Sequence, residues 1–498
     1  MKIFNKKNVC IAITAASLIS INSGCKSFLD TERQGQYTTD NYPYPQGGTP
    51  YDTFLFSAYD ALRAYNYVSD GFMVATSIRS DDADKGSTPT DGGADVISMD
   101  NFPVLVNSSR ANTLWTEYYT MIIRCNDILD NVQGNTSIIA TPEAKLQAEA
   151  EAKFLRAYSY FVLVRAYGRV PKIDKTLAVT ANVPQSSAAE IYAFIEEDLK
   201  FAAANLPISW ESKFAGRSTK GAANGMLAKV YLYQQKWALA MATANSVMTS
   251  GQYDLSVNYG VIFTEAGENS KESVFEIQGT ASAQVPTANG IQYANIQGTR
   301  GNTVEWNRGW GWNMPSAQLE AAYEPNDPRK NRTILYCSQA GAPRQTYYGQ
   351  TAPLFPTEVP NPKYNHKVLA NPSFIARYNT RGSWWMNVRI LRYADVVLMY
   401  AEAANELGGT TNIANALAAV NSVRARARIG APAGTLPDLT TTDQATLRTA
   451  IRQERRVELA MEHERFFDIV RWGIAQQVMQ DAGKTNFVAS REDRKSVV

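Results

Sequence analysis

The sequence predicts a mainly α fold, in which helical hairpins stack into a solenoid that carries long loop-rich insertions. Segments with helical periodicity dominate residues 113–260 and 392–474, whereas residues 264–390 are rich in Gly, Pro, Asn, Thr and aromatic residues. Near the C-terminus, Gly408-Gly409 separates two helix patterns, because glycine tolerates the left-handed conformation that ends a helix. This arrangement is typical of an αα-hairpin.

The helices can be placed from their apolar spacing and from the residues that end them. In the segment 143–167, for example, Phe154, Tyr158 and Phe161 recur at helical spacing, and Gly168 follows the last helical residue. The predicted helices are 52–66, 113–132, 143–167, 188–205, 219–234, 237–250, 393–407, 413–428 and 452–473.

Residues 219–250 resemble a tetratricopeptide unit. A Tyr-rich helix, a turn before Trp237 and an Ala-rich helix follow one another, and large and small residues of this kind interlock between adjacent helices. No strict repeat of about 34 residues runs through the chain, so the units are degenerate and separated by insertions. A scaffold of roughly four helix pairs is expected. Residues 70–103, rich in Asp, Gly and Pro, are predicted to form a long polar loop.

The predicted helix 452–473 carries a face of mixed character. Its sequence is RQERRVELAMEHERFFDIVRWG, in which apolar side chains are interspersed with acids and arginines. On one continuous helix, the residues that share a face are Val457, Ala460, Met461, Glu464, Phe467, Asp468 and Arg471. We interpret them as a partly buried, structural ion-pair network rather than a catalytic group.

The start of the chain has the pattern of a secretory signal. A head with three lysines precedes an uncharged, largely apolar stretch at 9–21, which is too short for a transmembrane helix. Cys25 directly follows a Ser-Gly pair, which looks like a bacterial lipobox, so that cleavage and acylation at this cysteine are expected. The alternative is ordinary secretion with an incidental cysteine. The predicted organisation is a lipoprotein signal peptide at 1–24, a tether at 25–50 and a single domain at 51–498.

Charge and cysteine content give no reason to expect nucleic acid or a disulfide framework. The formal charge is +2 for the whole chain and −1 once the three lysines of the signal are removed. Cys10 leaves with the signal, and Cys125 and Cys337 remain besides Cys25. These two can pair in an oxidising compartment, but Cys125 falls in a helical segment and is more simply a small core residue.

Several long segments resemble the SusD/RagB family. They are RYADVVLMYAEAANELG, VNSVRARA and ERRVELAMEHERFFDIVRWG near the C-terminus, with RCNDILDNV and EAKFLRAYSYFVLVRAYGRVP earlier in the chain. The resemblance implies a SusD-like fold with tetratricopeptide-like helix pairs, in a lipid-anchored outer-membrane protein of a Gram-negative bacterium. It also implies a surface-exposed nutrient-binding protein that works with a SusC-like TonB-dependent transporter. After Gly473 the chain departs from the family pattern, because it ends in NFVASREDRKSVV without a Pro-Ile-Pro run.

The insertion at 264–390 is the predicted ligand-binding region. Five of the nine tryptophans fall there, three of them in the Gly-containing run WNRGWGWN. Exposed indoles suit the C–H face of a sugar, while amides and guanidinium groups bond its hydroxyls. The candidate binding residues are Trp306, Asn307, Arg308, Trp310, Trp312, Asn313, Tyr347, Tyr348 and Trp384. The alternative is that these rings plug the insertion onto the solenoid, and one ring of the Trp384-Trp385 pair is expected to be buried.

The polar loop 70–103 supplies three further candidates, Asp81, Asp82 and Lys85, as hydrogen-bonding partners of the ligand. Together with Asp84, the two acids form a run that can also be interpreted as a structural Ca²⁺ site. The run lacks the EF-hand spacing, so a solvated or ligand-contacting loop is favoured. No cofactor and no catalytic metal are predicted.

The predicted function is the capture of an oligosaccharide or polysaccharide at the cell surface, without catalysis. The chain contains no H-E-x-x-H, G-x-S-x-G, P-loop or C-x-x-C motif. A glycoside hydrolase needs only two carboxylates, so an enzyme of this class stays open, although 300–320 contains only Glu305 and Glu320. A peptide-binding member of the same family and a protein-binding helical-repeat scaffold stay open as well.

Overall fold

The computed structural model describes residues 48–178 and 181–484. The signal peptide, Cys25, nearly all of the tether and the final NFVASREDRKSVV segment lie outside these residues. The chain divides into a unit at 1–50 and a second unit at 51–498, and every element below belongs to the second. Within the described ranges, no helix combines the length and the apolar character that crossing a bilayer requires.

Eighteen α-helices make up most of the regular structure of the described residues. They are α1 Asp52–Ala61, α2 Asp70–Met73, α3 Gly93–Asp100, α4 Ser109–Gly134, α5 Pro142–Tyr167, α6 Ala188–Asn205, α7 Lys220–Tyr233, α8 Trp237–Met248, α9 Tyr259–Ile262, α10 Tyr293–Gln297, α11 Ala317–Ala322, α12 Pro328–Thr333, α13 Pro372–Tyr378, α14 Tyr393–Leu407, α15 Thr410–Ala427, α16 Gln444–Glu458, α17 Arg465–Arg471 and α18 Ala475–Asp481. Two π-helices, Tyr65–Ser69 and Val74–Ile78, flank α2.

The described strands are short and pair two by two, always antiparallel. They are β1 Ala83–Gly86, β2 Val170–Pro171, β3 Gln185–Ser186, β4 Ser273–Ile277, β5 Trp312–Pro315, β6 Ile334–Tyr336, β7 Thr346–Tyr347, β8 Gln350–Thr351, β9 Lys363–Asn365 and β10 Val388–Arg392. The pairs are β1–β5, β2–β3, β4–β10, β6–β9 and β7–β8. Pairing of β4 with β10 brings together the two ends of the insertion, which therefore leaves and rejoins the solenoid at one place.

Successive helices pack on one another to form the solenoid. Helix α4 packs on α5, α5 on α6, α6 on α7 and α7 on α8. Helix α14 then packs on α8, α15 and α16, so the C-terminal helices continue the stack that the insertion interrupts. The predicted mainly α, tetratricopeptide-like solenoid with loop-rich insertions is confirmed.

Local sequence signals explain where these helices begin and how closely they approach. Thr141 accepts a hydrogen bond from the Ala144 amide at the start of α5, and Ser187 and Glu190 form a capping box at α6. In the hairpin of α14 and α15, the small residues Ala401, Ala403, Ala404, Ala416 and Ala419 are buried. Cys125 is buried within α4 and forms no disulfide with Cys337, consistent with its interpretation as a core residue.

Residues 70–103 do not form the long polar loop that composition predicts. They contain α2, the second π-helix, β1 and α3, because their apolar side chains form a small core of their own. The buried members of this core are Met73, Val74, Ile78, Val96, Met99, Ile296 and Trp312. Its last two members come from the insertion, so the segment and the insertion fold against each other.

The stretch 452–473, whose shared face assumes one continuous helix, is instead interrupted between α16 and α17. Met461 and His463 adopt positive φ angles of 65° and 67°, which no helix accommodates. The ion-pair interpretation of this stretch is nevertheless supported by the contacts. Glu464, Asp468 and Arg471 all take part in buried or nearly buried salt bridges.

Arg455, on α16, is the centre of one such network and is fully buried. Its guanidinium group donates to Asp395 and, at 2.7 Å, to Asp468. Asp468 also accepts from Arg471 at 2.9 Å, and Arg471 makes two further hydrogen bonds to Glu402. Burial raises the pKa of Asp395, but the charges of Arg455 and then Lys229 outweigh it and lower this pKa overall. These groups fasten α14, α16 and α17 to one another.

Candidate functional site

The two segments that the sequence singles out, 70–103 and 300–313, meet in the structure. Strand β1 pairs with β5, with Gly86 opposite Trp312. Immediately after β1, the Ser87 amide donates to the Gly311 carbonyl at 2.7 Å. The sequence could not establish this contact, which makes one composite surface from two loops.

Trp310 is the exposed indole of this surface, with 37% of its area accessible. Its ring centroid lies 6.1 Å from that of Tyr65, with the planes inclined at 57°. The backbone of Trp310 is fixed on both sides, because its amide donates to the Asn295 carbonyl at 3.1 Å and its carbonyl oxygen lies 2.7 Å from Ser87 Oγ. A ring with a rigid backbone and an accessible face is suited to stacking on a ligand.

Tyr65 stands in the first π-helix and is half-buried. It packs against the small core that contains Met73 and Trp312, and this contact limits the movement of its ring. Burial, followed by the negative charge of Asp70, raises the pKa of its hydroxyl well above the usual value. At physiological pH the hydroxyl is therefore neutral and can both donate and accept hydrogen bonds.

Charged side chains border the aromatic pair. Arg300 binds Asp91 and donates to Ser87 Oγ at 2.7 Å. Hydrogen bonding from Ser87, as the largest cause, holds the pKa of Asp91 well below its ordinary range. Near Tyr65, Arg110 Nε donates to Asp70 at 3.1 Å. These paired charges offer hydrogen-bond donors and acceptors with little net charge.

Trp384 lies at another edge of the same region and is half-buried. A Cβ atom placed on Gly290 would come within 2.7 Å of the Trp384 Cβ, and the Trp384 carbonyl accepts from Ile291 at 2.8 Å. Asn295 links this edge to Trp310, because its side chain lies against Gly382 and its carbonyl binds the Trp310 amide. The neighbouring Trp385 is buried and donates to Glu265, so the expectation that one ring of the pair is buried is confirmed.

Two of the three tryptophans in the WNRGWGWN run are buried, which corrects their prediction as binding residues. Trp306 is 3% exposed, and its indole NH donates to the Thr351 carbonyl at 3.0 Å. Trp312 is 7% exposed and fills the small core beside α3. The loops of the insertion contain few aliphatic residues, so aromatic rings supply their cores. Tyr347 is buried for the same reason, in one cluster with Trp306.

Arg308 and Asn313 are also buried and serve the loop rather than a ligand. The Arg308 guanidinium donates to the Glu305 carbonyl at 2.7 Å and to the Ala370 carbonyl at 3.0 Å. Burial lowers the pKa of this guanidinium to about 10. Asn313 Nδ2 donates to Gln297 at 2.7 Å. The Arg308 guanidinium and the Asn313 amide, which were predicted to bond sugar hydroxyls, therefore bond other groups of the protein.

Asp81, Asp82 and Lys85 are buried too, and they are not free to contact a ligand. Both carboxylates bind Arg456, and Asp81 also accepts two hydrogen bonds of 2.8 Å from Arg465. Lys85 Nζ donates to backbone carbonyls, the closer one at 2.6 Å. The two acids therefore bind guanidinium groups instead of offering ligands to Ca²⁺. In the described ranges no group of three or more His, Cys, Asp or Glu is placed to hold a metal ion.

Tyr348 and Asn307 are, with Trp310 and Trp384, the predicted residues of the insertion that are not buried. Tyr348 is exposed at the turn between β7 and β8, and its electrostatic neighbours are Glu265, Arg332 and Arg308. Asn307 is half-buried and forms an isolated bridge with Arg300. They stay predicted binding residues at the margin of the site.

Four residues of the site were not predicted from the sequence: Tyr65, Asp91, Arg300 and the positioning residue Asn295. Tyr65 falls in the predicted helix 52–66, whose periodicity gives no hint that the chain changes to a π-helix. Asp91 and Arg300 carry no motif, because they come together only through the pairing of β1 with β5. Asn295 stands in α10, whose sequence YANIQ carries no local signal that distinguishes it from Gln297.

Comparisons with known proteins agree with this architecture. Residues 271–496 match the model of the SusD family, and residues 65–232 match a model described as starch-binding associating with outer membrane. The chain belongs to the SusD/RagB family. A SusD-like protein of Bacteroides ovatus is 27% identical over 506 residues, which covers 95% of this chain and 83% of that protein.

Solved and curated relatives of this SusD/RagB protein include glycan binders. The structure of a laminarin binding SusD-like protein superposes with a TM-score of 0.72 at 26% identity, covering 90% of this chain and 95% of that one. The starch-binding protein SusD of Bacteroides thetaiotaomicron is 27% identical over 179 residues, which covers 34% of this chain and 30% of that protein.

Proposed function

We propose that this protein is a cell-surface glycan-binding lipoprotein that captures an oligosaccharide or polysaccharide and delivers it to a SusC-like TonB-dependent transporter. The observation that carries the proposal is the accessible Trp310 face beside Tyr65, bordered by paired charged groups. Two relatives are named as laminarin-binding and starch-binding, which supports a glycan rather than another ligand. The match to a family model for outer-membrane association supports the location.

The chemistry of the surface fits a sugar in two respects. The indole of Trp310 presents apolar area to the C–H face of a pyranose at low entropic cost, because the ring has few rotatable bonds. Arg300, Asp91 and the neutral Tyr65 hydroxyl offer both donors and acceptors to sugar hydroxyls. Binding of this kind is expected to be moderate in affinity, which suits a protein that releases its ligand to a transporter. We propose that it requires no cofactor.

The test is a binding screen of the mature domain against laminarin, starch and other polysaccharides, with a peptide library and a hydrolysis assay in parallel. Saturable binding to a glycan, without release of reducing ends, is the expected result. Binding only to peptides would show that the ligand is a peptide and not a glycan. Hydrolysis of the bound glycan would show that the protein is an enzyme.

Acylation of Cys25 gives a prediction about location. In cells, Cys25→Ala should release the protein from the outer membrane, because the described domain has no membrane-spanning helix to hold it there. Fractionation of wild-type and mutant cells measures the change, with Cys125→Ala as the matched control that keeps its anchor. A Cys25→Ala protein that stays in the detergent-soluble membrane fraction would contradict lipid anchoring.

Delivery to a transporter gives a prediction about the partner. Extraction in mild detergent and affinity purification of the tagged protein should recover a large TonB-dependent outer-membrane protein. A solenoid offers the extended surface that such a partner requires. Purification of the lipoprotein alone, under conditions in which other outer-membrane complexes survive, would argue against this partner.

A further inference from the structure

Two clefts meet at Asp60 and Arg63, at and just beyond the end of helix α1. The first has a volume of about 300 Å³ and is bordered by Ala64, Glu117, Thr120 and Gly290, among others. The second has a volume of about 240 Å³ and is bordered by residues of α1, the segment 213–217 and the segment after β4. Neither cleft is needed to explain the site described above.

Two residues that line the first cleft adjoin residues of the site. Ala64, in its wall, directly precedes Tyr65. Gly290, which also lines the cleft, lies against Trp384. The cleft is therefore the neighbouring space into which a ligand longer than the Trp310 surface could extend.

Helix α4 lines the first cleft with Glu117, Thr120 and Arg124, and the same helix extends back to Arg110 near Tyr65. Arg110 reaches Asp70 beside the Tyr65 end, whereas Arg124, further along the same helix, reaches Ser57 on α1 at 3.1 Å. Between these two arginines α4 advances by roughly 21 Å, at 1.5 Å per residue. A path of this length accommodates several sugar units, well beyond a disaccharide.

Arg63 separates the first cleft from the second. Its guanidinium binds Asp60, near the end of α1, and donates to the Asn289 carbonyl at 2.6 Å. Beyond it, Phe56 borders the second cleft with 41% of its area exposed. An exposed phenylalanine at the rim of a cleft contributes little to the core, and it offers a second apolar face to a sugar.

The charges around the first cleft indicate a neutral ligand. Asp60 and Glu117 supply two acidic groups, and Arg63 and Arg124 supply two basic ones. An acidic glycan would need an excess of cationic groups for its carboxylates or sulfates, which this wall does not provide.

We propose that the two clefts extend the binding surface, so that the ligand is a neutral glycan chain that runs from Trp310 past Arg63 to Phe56. This inference rests on the proposed function and adds the length and charge of the ligand. The units beyond Trp310 occupy the first cleft, and the distal end packs on Phe56. Affinity therefore increases with chain length until the clefts are filled.

The test compares laminaribiose with laminarihexaose, and maltose with maltohexaose, by calorimetry on the mature protein. The parent is expected to bind one hexaose at least about tenfold more tightly than its disaccharide. Thr120→Trp fills the first cleft and should abolish that gain while leaving the disaccharide unaffected. Its matched control is Thr449→Trp, at another exposed helical threonine whose hydroxyl also donates to the carbonyl four residues earlier.

A second pair of variants tests the far end. Phe56→Ala should weaken hexaose binding about three- to tenfold, whereas Phe54→Ala, a similarly exposed phenylalanine of α1 that borders neither cleft, should not. Equal affinity for hexaose and disaccharide, or no effect of Thr120→Trp, would overturn the extended site and leave the Trp310 site intact. An acidic hexamer, oligogalacturonate, that binds more tightly than both neutral hexaoses would overturn the neutral ligand. If no oligosaccharide binds the parent, the proposed function fails and this inference fails with it.

Discussion

Replacement of Arg455 by Met is expected to destabilise the domain by about 3–5 kcal/mol, the usual cost of removing one member of a buried charge network. The side chain has no solvent exposure, and its removal leaves the Asp395 and Asp468 carboxylates buried with fewer partners. Methionine occupies similar space, so the loss comes from the uncompensated charges rather than from a cavity. Urea unfolding followed by circular dichroism measures the change.

The control for this variant is Arg448→Met on the same helix. Arg448 binds Glu406 in a pair that is partly exposed, so its removal should cost no more than about 1 kcal/mol. Because the pKa of Asp395 is lowered in the folded protein, its stabilisation is present above its ordinary pKa and lost as the pH falls through the lowered value. The difference in the free energy of unfolding between the parent and Arg455→Met should therefore become smaller on acidification. Equal losses in the two variants would show that Arg455 has no special structural role.

The solenoid was predictable because its signals are local. Helix α6 begins after a Ser–Glu capping box, and α14 ends at Gly408-Gly409, so the bounds of both helices agree with the predicted ones. The break after Glu458 was not predictable, because the stretch 459–464 is rich in helix formers. There the buried pairing of Glu462 with Arg392 and Lys367 fixes the backbone, and this tertiary contact overrides helix propensity.

The site was predictable only in part, because burial in the insertion depends on contacts that are distant in sequence. Trp306, Trp310 and Trp312 stand in one short run, yet only Trp310 faces solvent. The glycines between these tryptophans determine which indole is exposed. Gly309 lies so close to Asn295 that any Cβ would clash with its carbonyl, and Gly311 has a φ of 79°, so the backbone turns between successive tryptophans. Composition identifies such a region but not the residue that remains exposed.

Truncation of the exposed indole is the second change for which we expect a large effect. Trp310→Ala should weaken binding of the best glycan of the screen about thirtyfold, or about 2 kcal/mol, on the scale of an interface hot spot. The expected cost to folding is smaller than for a buried ring, because the indole is accessible and packs beside the half-buried Tyr65. Calorimetry measures the loss once the unfolding midpoints of variant and parent have been shown to agree.

Two comparison variants make this result specific to the Tyr65–Trp310 surface. Trp306→Ala removes a buried ring and is expected to cost about 3–5 kcal/mol of stability, so any loss of binding there follows loss of fold. Tyr348→Ala removes an exposed ring at the margin of the site, beside Glu265 and Arg332, and it should weaken binding far less than Trp310→Ala does. If Trp310→Ala binds like the parent while Tyr348→Ala does not, the stacking surface is at the β7–β8 turn. In that case the pairing of Trp310 with Tyr65 only stabilises the junction of the two loops.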